Sequence, residues 1–241
     1  MTHMTAVLRP QSLREEALTK IREAIVFGAL PGGQLFSEQT IADQLQISRT
    51  PVREALLQLG SEGLIEFVPN RGARIVPVSS EYLRQVFELR ASIEGYCGKQ
   101  LAAASSRKRI LDKLDASLAE QRQIIDTNDQ SAWVAANMRF HMLMVEDYGN
   151  PLMIDVLNNL ATHTMRMGYQ VNERANDRME QSLTEHTLIV EAMREGQPDV
   201  VVRRIEDHLA ATGLLVNSLI GPGAEKISGS TGVVEDSMGR K

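Results

Sequence analysis

The chain has 241 residues, 43% apolar and 24% charged, with a net charge of −5 at neutral pH. That length supports one or two domains with real cores, and the composition excludes wholesale disorder. No apolar run approaches the roughly 18 residues that cross a bilayer, the start MTHMTAVLRPQSLREE lacks the basic and apolar stretches of a secretion signal, and the single cysteine, Cys97, can form neither an internal disulfide nor a thiolate cluster. A cytosolic protein is expected, and any metal must be held by His, Asn or carboxylate groups. The acidic total argues against nucleic acid, yet residues 1–78 carry eight Lys and Arg against eight Asp and Glu. Where arginines cluster matters more than the sum.

Apolar residues at Leu13, Ala17, Ile21 and Ile25 share one helical face and stop at Gly28 and Pro31-Gly32-Gly33. Ser37 introduces a short second helix with Ile41 and Leu45 inward. Ser48-Arg49-Thr50-Pro51 opens a third, the hydroxyl as cap and the proline suited to the first helical position, with Val52, Leu56 and Leu59 buried and Gly63 as its end. The period then drops to two. Leu64–Val68 and Ala73–Val76 flank the turn-forming Pro69-Asn70-Arg71-Gly72, which predicts a hairpin. Three helices and a two-stranded wing make a winged helix-turn-helix, whose last helix can enter a major groove.

Pro77-Val78-Ser79-Ser80 reads as a linker, dividing a domain over 1–78 from an all-helical one over 79–220. Helical stripes follow, among them Leu83, Val86, Ile93 and Cys97; Ile110, Leu114, Leu118 and Ile125; Trp133, Phe140, Met144 and Tyr148; and Leu152, Val156, Leu160 and Met167. Breaks at 105–106, 128–129, 149–151, 172–178 and 196–198 give at least six helices and an α-bundle. Residues 221–241 turn to Gly, Ser and charge, which predicts a disordered tail.

Arg49 and Arg53 are four residues apart on the exposed face of the third helix, with Thr50 beside them. Guanidinium groups read guanine edges, while hydroxyls and helix N-terminal amides hold phosphates. Arg71, at the wing tip, can reach a minor groove or the backbone. The run Ile47-Ser-Arg-Thr-Pro-Val-Arg-Glu-Ala-Leu56, with Ile41-Ala-Asp-Gln-Leu45 before it and Glu62-Gly-Leu64 and Pro69-Asn-Arg-Gly72 after it, resembles the DNA-binding domain of GntR-type bacterial transcription regulators. The resemblance implies DNA contacts from Ser48, Arg49, Thr50 and Arg53, and from Asn70, Arg71 and Gly72 of the wing. Gln39 stands where members often carry Arg, so a contact there is uncharged. A module of this size binds as a symmetric homodimer on a palindromic double-stranded operator.

In the helical half, His141, His186 and His208 lie on the inward stripes of three different helices, and Asn137 precedes His141 by one turn. Three imidazoles and one oxygen suit Zn²⁺, Ni²⁺ or a similar divalent ion. Residues 79–220 resemble the FCD ligand-binding domain of the FadR subfamily, which implies a metal at Asn137, His141, His186 and His208. Most members carry Asp at the Asn137 position; an uncharged carbonyl weakens the ion's hold. Arg90 interrupts an apolar stripe, and two readings stand: a buried pair with Glu94, or a grip on an effector carboxylate. His163 is a second candidate for the effector, with core packing as its alternative. The expected function is a transcription regulator, a repressor by family habit, controlled by a small organic acid. A metal sensor is the alternative, and a zinc hydrolase a remote one, since no H-E-x-x-H motif or nucleophile–base pair is legible.

Overall fold

The computed structural model describes residues 12–175 and 177–220; His3 and the expected tail over 221–241 fall outside them. The first unit is α1 (Leu13–Val26), β1 (Leu35–Phe36), α2 (Glu38–Leu45), α3 (Arg49–Ser61), β2 (Ile65–Val68) and β3 (Gly72–Ile75). A capping box at Ser12 and Glu15 starts α1, and the Ser37 hydroxyl caps α2 through the Thr40 amide. Ala17, Ile21 and Ile25 of α1 pack on Val52, Leu56 and Leu59 of α3 as one core. Two details of α3 differ from the sequence reading. Ser48 holds the cap position but makes no side-chain cap bond, and Pro51 is the third helical residue. That position still lies in the first turn, whose N–H groups have no intrahelical partner.

The wing is a three-stranded sheet in the order β1-β3-β2, all antiparallel, not the two-stranded hairpin expected. Leu35 pairs with Arg74 and Phe36 with Ala73. A two-residue strand shows no period, and its partner lies some forty residues away, so only the folded chain reveals it.

The second unit is a bundle of α4 (Ser80–Ala103), α5 (Lys108–Thr127), α6 (Gln130–Tyr148), α7 (Pro151–Asn172), α8 (Arg178–Arg194) and α9 (Pro198–Ile220). Every expected break spans a junction between two of these helices, with Pro151, Asn172, Arg178 and Pro198 as helix-end residues. Gly98 lets α9 pack close to α4: a Cβ there would lie 2.9 Å from both Ile205 and Val201. The stripe assigned to α7 is partly wrong. Leu152 and Val156 are exposed, and its buried apolar residues are Leu157, Met167 and Val171. On α5 the fully buried face runs Ile110, Leu114, Ser117 and Gln121, bringing two polar side chains inward beside Leu118 and Ile125, which are partly buried and packed against the core. Among the described residues, no helix is long and apolar enough to cross a membrane.

Candidate nucleic-acid interface and candidate metal centre

The start of α3 and the wing face one another across a concave surface lined by Glu38, Gln39, Arg49, Arg53, Asn70 and Gly72, among others. Ser48, Thr50 and Arg71 are exposed close by. Arg49 and Arg53 lie one turn apart and both approach the Glu38 carboxylate, at 3.3 Å and 3.9 Å. With more than half of each arginine side chain in solvent, these pairs are weak and leave both guanidinium groups accessible. Gln39, at the position where members of the resembled family often carry Arg, donates to Asp43 and is spent within its own helix.

The wing tip is a tight turn closed by the Arg71 amide on the Val68 carbonyl, with Pro69 second and Asn70 third at φ 60°. Gly72 follows at φ 102°, and a Cβ there would stand 2.3 Å from the Phe36 carbonyl oxygen. The β1–β3 contact and the left-handed backbone therefore both require glycine.

His141 of α6, His186 of α8 and His208 of α9 meet at the centre of the bundle, all buried. The His208 Nε2 lies 3.1 Å from that of His141 and 3.4 Å from that of His186. Each opposite nitrogen is occupied: His141 Nδ1 donates to Glu94 at 2.7 Å, His208 Nδ1 to Glu185 at 2.6 Å and His186 Nδ1 to the Gln121 amide oxygen at 2.8 Å. Carboxylate and amide oxygens only accept, so Nδ1 carries the proton and each Nε2 presents a lone pair. Three lone pairs facing one another have no proton to share, and a cation among them removes the conflict. This donor set fits a borderline divalent ion, with the second layer of acceptors that metal-bound histidines usually have.

The electrostatics favour the neutral ligand form. Burial first, then the neighbouring imidazoles His208 and His141, holds His186 well below its usual 6.5. Burial likewise lowers His141 and brings His208 to about 4, against the opposing pull of Glu94 and Glu185. Burial pushes Glu94 upward, but Arg90 and His141 together outweigh it and bring it to about 2. Glu185 also falls to about 2: burial opposes this, and bonds from His208 and Arg178 prevail. Burial, then Glu94, raises the Cys97 thiol to about 11, so it offers no thiolate at neutral pH.

One helical turn from the imidazoles lies a cavity. Asn137 precedes His141 by four residues, Ser182 precedes His186 by four, and Thr212 follows His208 by four; all three line it. Trp133, Thr164 and Arg178 are also in its wall, and the Thr164 hydroxyl is buried there without a hydrogen-bond partner. Arg178 makes a two-bond pair with Glu185 and a third bond to Thr212, linking the cavity to the acceptor of His208.

Neither effector candidate lines this cavity. Arg90 is buried against Glu94 at 2.7 Å, the paired reading, with its Nη2 left unpartnered. His163 faces the first unit, where its Nε2 lies 3.4 Å from the Glu62 carbonyl oxygen. Sequence reasoning missed Gln121, Glu185 and Arg178. The four- and seven-residue spacing from Ile110 through Leu114 and Ser117 marks Gln121, and Arg178 lies two turns before Glu185, but nothing in the sequence marks them as acceptors for His186 and His208.

Residues 13–75 match the family described as "Bacterial regulatory proteins, gntR family", and residues 85–211 match the "FCD domain". The HTH-type transcriptional repressor RspR of Escherichia coli (strain K12) is 26% identical over 209 residues, covering 87% of this chain and 91% of that protein. A protein named "Probable D-xylose utilization operon transcriptional repressor", from Paenarthrobacter nicotinovorans, is 26% identical over 202 residues, 82% of this chain and 88% of its own length. The solved structure titled "E. coli McbR/YncC" shares the fold, with a TM-score of 0.75 at 18% identity, over 88% of this chain and 100% of that one. The chain belongs to the GntR family of bacterial regulatory proteins: it is a DNA-binding transcription regulator with an FCD domain.

Proposed function

We propose that the protein is a homodimeric repressor that binds a palindromic operator through residues 1–78 and releases it when a small organic acid enters residues 79–220 beside a bound divalent metal. The observation that carries this reading is the triad of His141, His186 and His208, their Nε2 lone pairs converging and their Nδ1 protons held, one turn from a polar cavity. Those three imidazoles would hold Zn²⁺ or Ni²⁺, with Asn137 as the oxygen donor nearest in sequence. The ion supplies a Lewis-acidic anchor for a carboxylate. Arg178 and the unpartnered Thr164 hydroxyl supply charge and a hydrogen bond on the cavity side. Ser48, Arg49, Thr50, Arg53, Asn70, Arg71 and Gly72 form the DNA face. The names of the two relatives support repression, and that of one, a D-xylose utilization operon repressor, accords with control by a metabolite.

The test is an operator titration with and without Zn²⁺, and then with a panel of carboxylic acids. Acid-dependent release from the metal-loaded protein supports the reading. Release by chelator alone favours the metal sensor. Arg49→Ala and Arg53→Ala should each weaken binding by roughly 10-fold or more and flatten its salt dependence; unchanged affinity and slope would remove these residues from the DNA face.

A further inference from the structure

The cavity beside the histidines is too small for the ligand proposed for it. Only about 30 Å³ is open to water-sized atoms, room for one or two waters. An organic acid therefore enters only if a wall moves. The wall with the largest share is α7, through Thr164, Met165, Gly168, Val171 and Asn172.

At 100° per residue, those positions occupy one side of α7, and His163, Arg166 and Tyr169 occupy the other. That second side is covered by the DNA-binding unit. His163 meets the Glu62 carbonyl, the C-terminal cap of the recognition helix α3. The buried Arg166 donates to the Val76 carbonyl at 3.0 Å, just before the linker. It also fills the space beside Gly32, where a Cβ would come within 2.6 Å of its Nη2. The Tyr169 ring packs edge-on against Phe27 at the end of α1.

We propose that α7 is the lever that carries occupation of the cavity to the DNA-binding unit, with Arg166 as its coupling residue. The inference rests on the reading that the cavity takes the effector. A rigid helix displaced on its cavity side displaces the dock on its far side, because packed interfaces shift between discrete arrangements and do not deform smoothly. Arg166 touches neither the histidines nor the DNA face, so its contribution is separable from both.

The test uses the full chain and a wedge in place of the unidentified acid. Ser182→Phe grows into the cavity from α8. It should weaken binding to an operator selected by the wild-type protein at least 10-fold. Arg166→Ala alone should bind that operator within about 3-fold of wild type, and should reduce the effect of the wedge to less than 3-fold. An undiminished wedge effect in the Arg166→Ala background overturns the lever. If Ser182→Phe fails to fold by circular dichroism, Ser182→Leu takes its place. Independently of any wedge, Arg166→Ala should speed amide hydrogen exchange several-fold in peptides covering residues 28–35 and 61–65, leaving α5, α6 and α8 unchanged; equal protection in both proteins also overturns it. A wild-type operator complex that responds to acid while the wedge acts independently of Arg166 would retain the proposed function and reject the lever alone.

Discussion

At the residue scale, the centre of the bundle is governed by who holds each Nδ1 proton. Glu94, Glu185 and Gln121 orient three rings so that their Nε2 atoms converge, and two of the three acceptors are themselves fixed by buried arginines, Arg90 and Arg178. Glu185→Gln keeps the size and an acceptor oxygen but removes the charge that makes His208 a better donor to a metal. Zn²⁺ affinity, measured by chelator competition, should fall roughly 10- to 100-fold. Unchanged affinity would mean that His208 does not bind the ion. The histidines themselves were legible because inward imidazoles on apolar stripes are rare. Their acceptors were not, because Glu185 lies on a partly exposed strip of α8 and Gln121 in a helix with many similar polar residues. Arg90 shows the limit of the same logic: its place on the stripe announced burial and left two readings open, and only the folded chain shows that it pairs with Glu94.

At the element scale, the recognition helix was readable from its start signals and period, and the hairpin from its turn. The third strand was not, since Leu35 and Phe36 become a strand only by pairing with β3. That pairing gives Gly72 a second constraint beyond its turn. Gly72→Ala forces a side chain into φ 102° and against the Phe36 carbonyl. It should cost about 2 kcal/mol or more of stability in the urea unfolding midpoint and weaken operator binding while the α3 arginines remain intact. A variant as stable as wild type would mean that the wing tolerates a different pairing. Helix α7 carries the reverse lesson. Its apolar residues at Leu152 and Val156 kept the helical period yet stayed in solvent, because period marks a face and not what covers it.

At the scale of the whole molecule, the buried triad ties stability to pH. In the unfolded chain the imidazoles take up protons near 6.5, whereas in the fold His208 does so only at about 4 and His186 well below its usual value. Their neutral burial stabilises the fold fully above 6.5 and progressively less as pH falls toward 4. Glu94 and Glu185, both lowered to about 2, add a further loss below 4.5. The metal-free protein should lose roughly 5 °C or more of Tm between pH 7 and pH 4.5, and Zn²⁺ should raise Tm at pH 7. A flat Tm across that window would contradict neutral burial of the triad.

The sequence alone determined the order of the helices, the exposed arginines at the start of α3 and the inward placing of three histidines, since each depends on local spacing along one helix or turn. Tertiary structure alone decided the three-stranded wing, the acceptors behind the imidazoles, the cavity one turn away and the dock of α7 on the DNA-binding unit. These join residues from distant parts of the chain, and no local period encodes which distant partner a side chain meets once the helices pack.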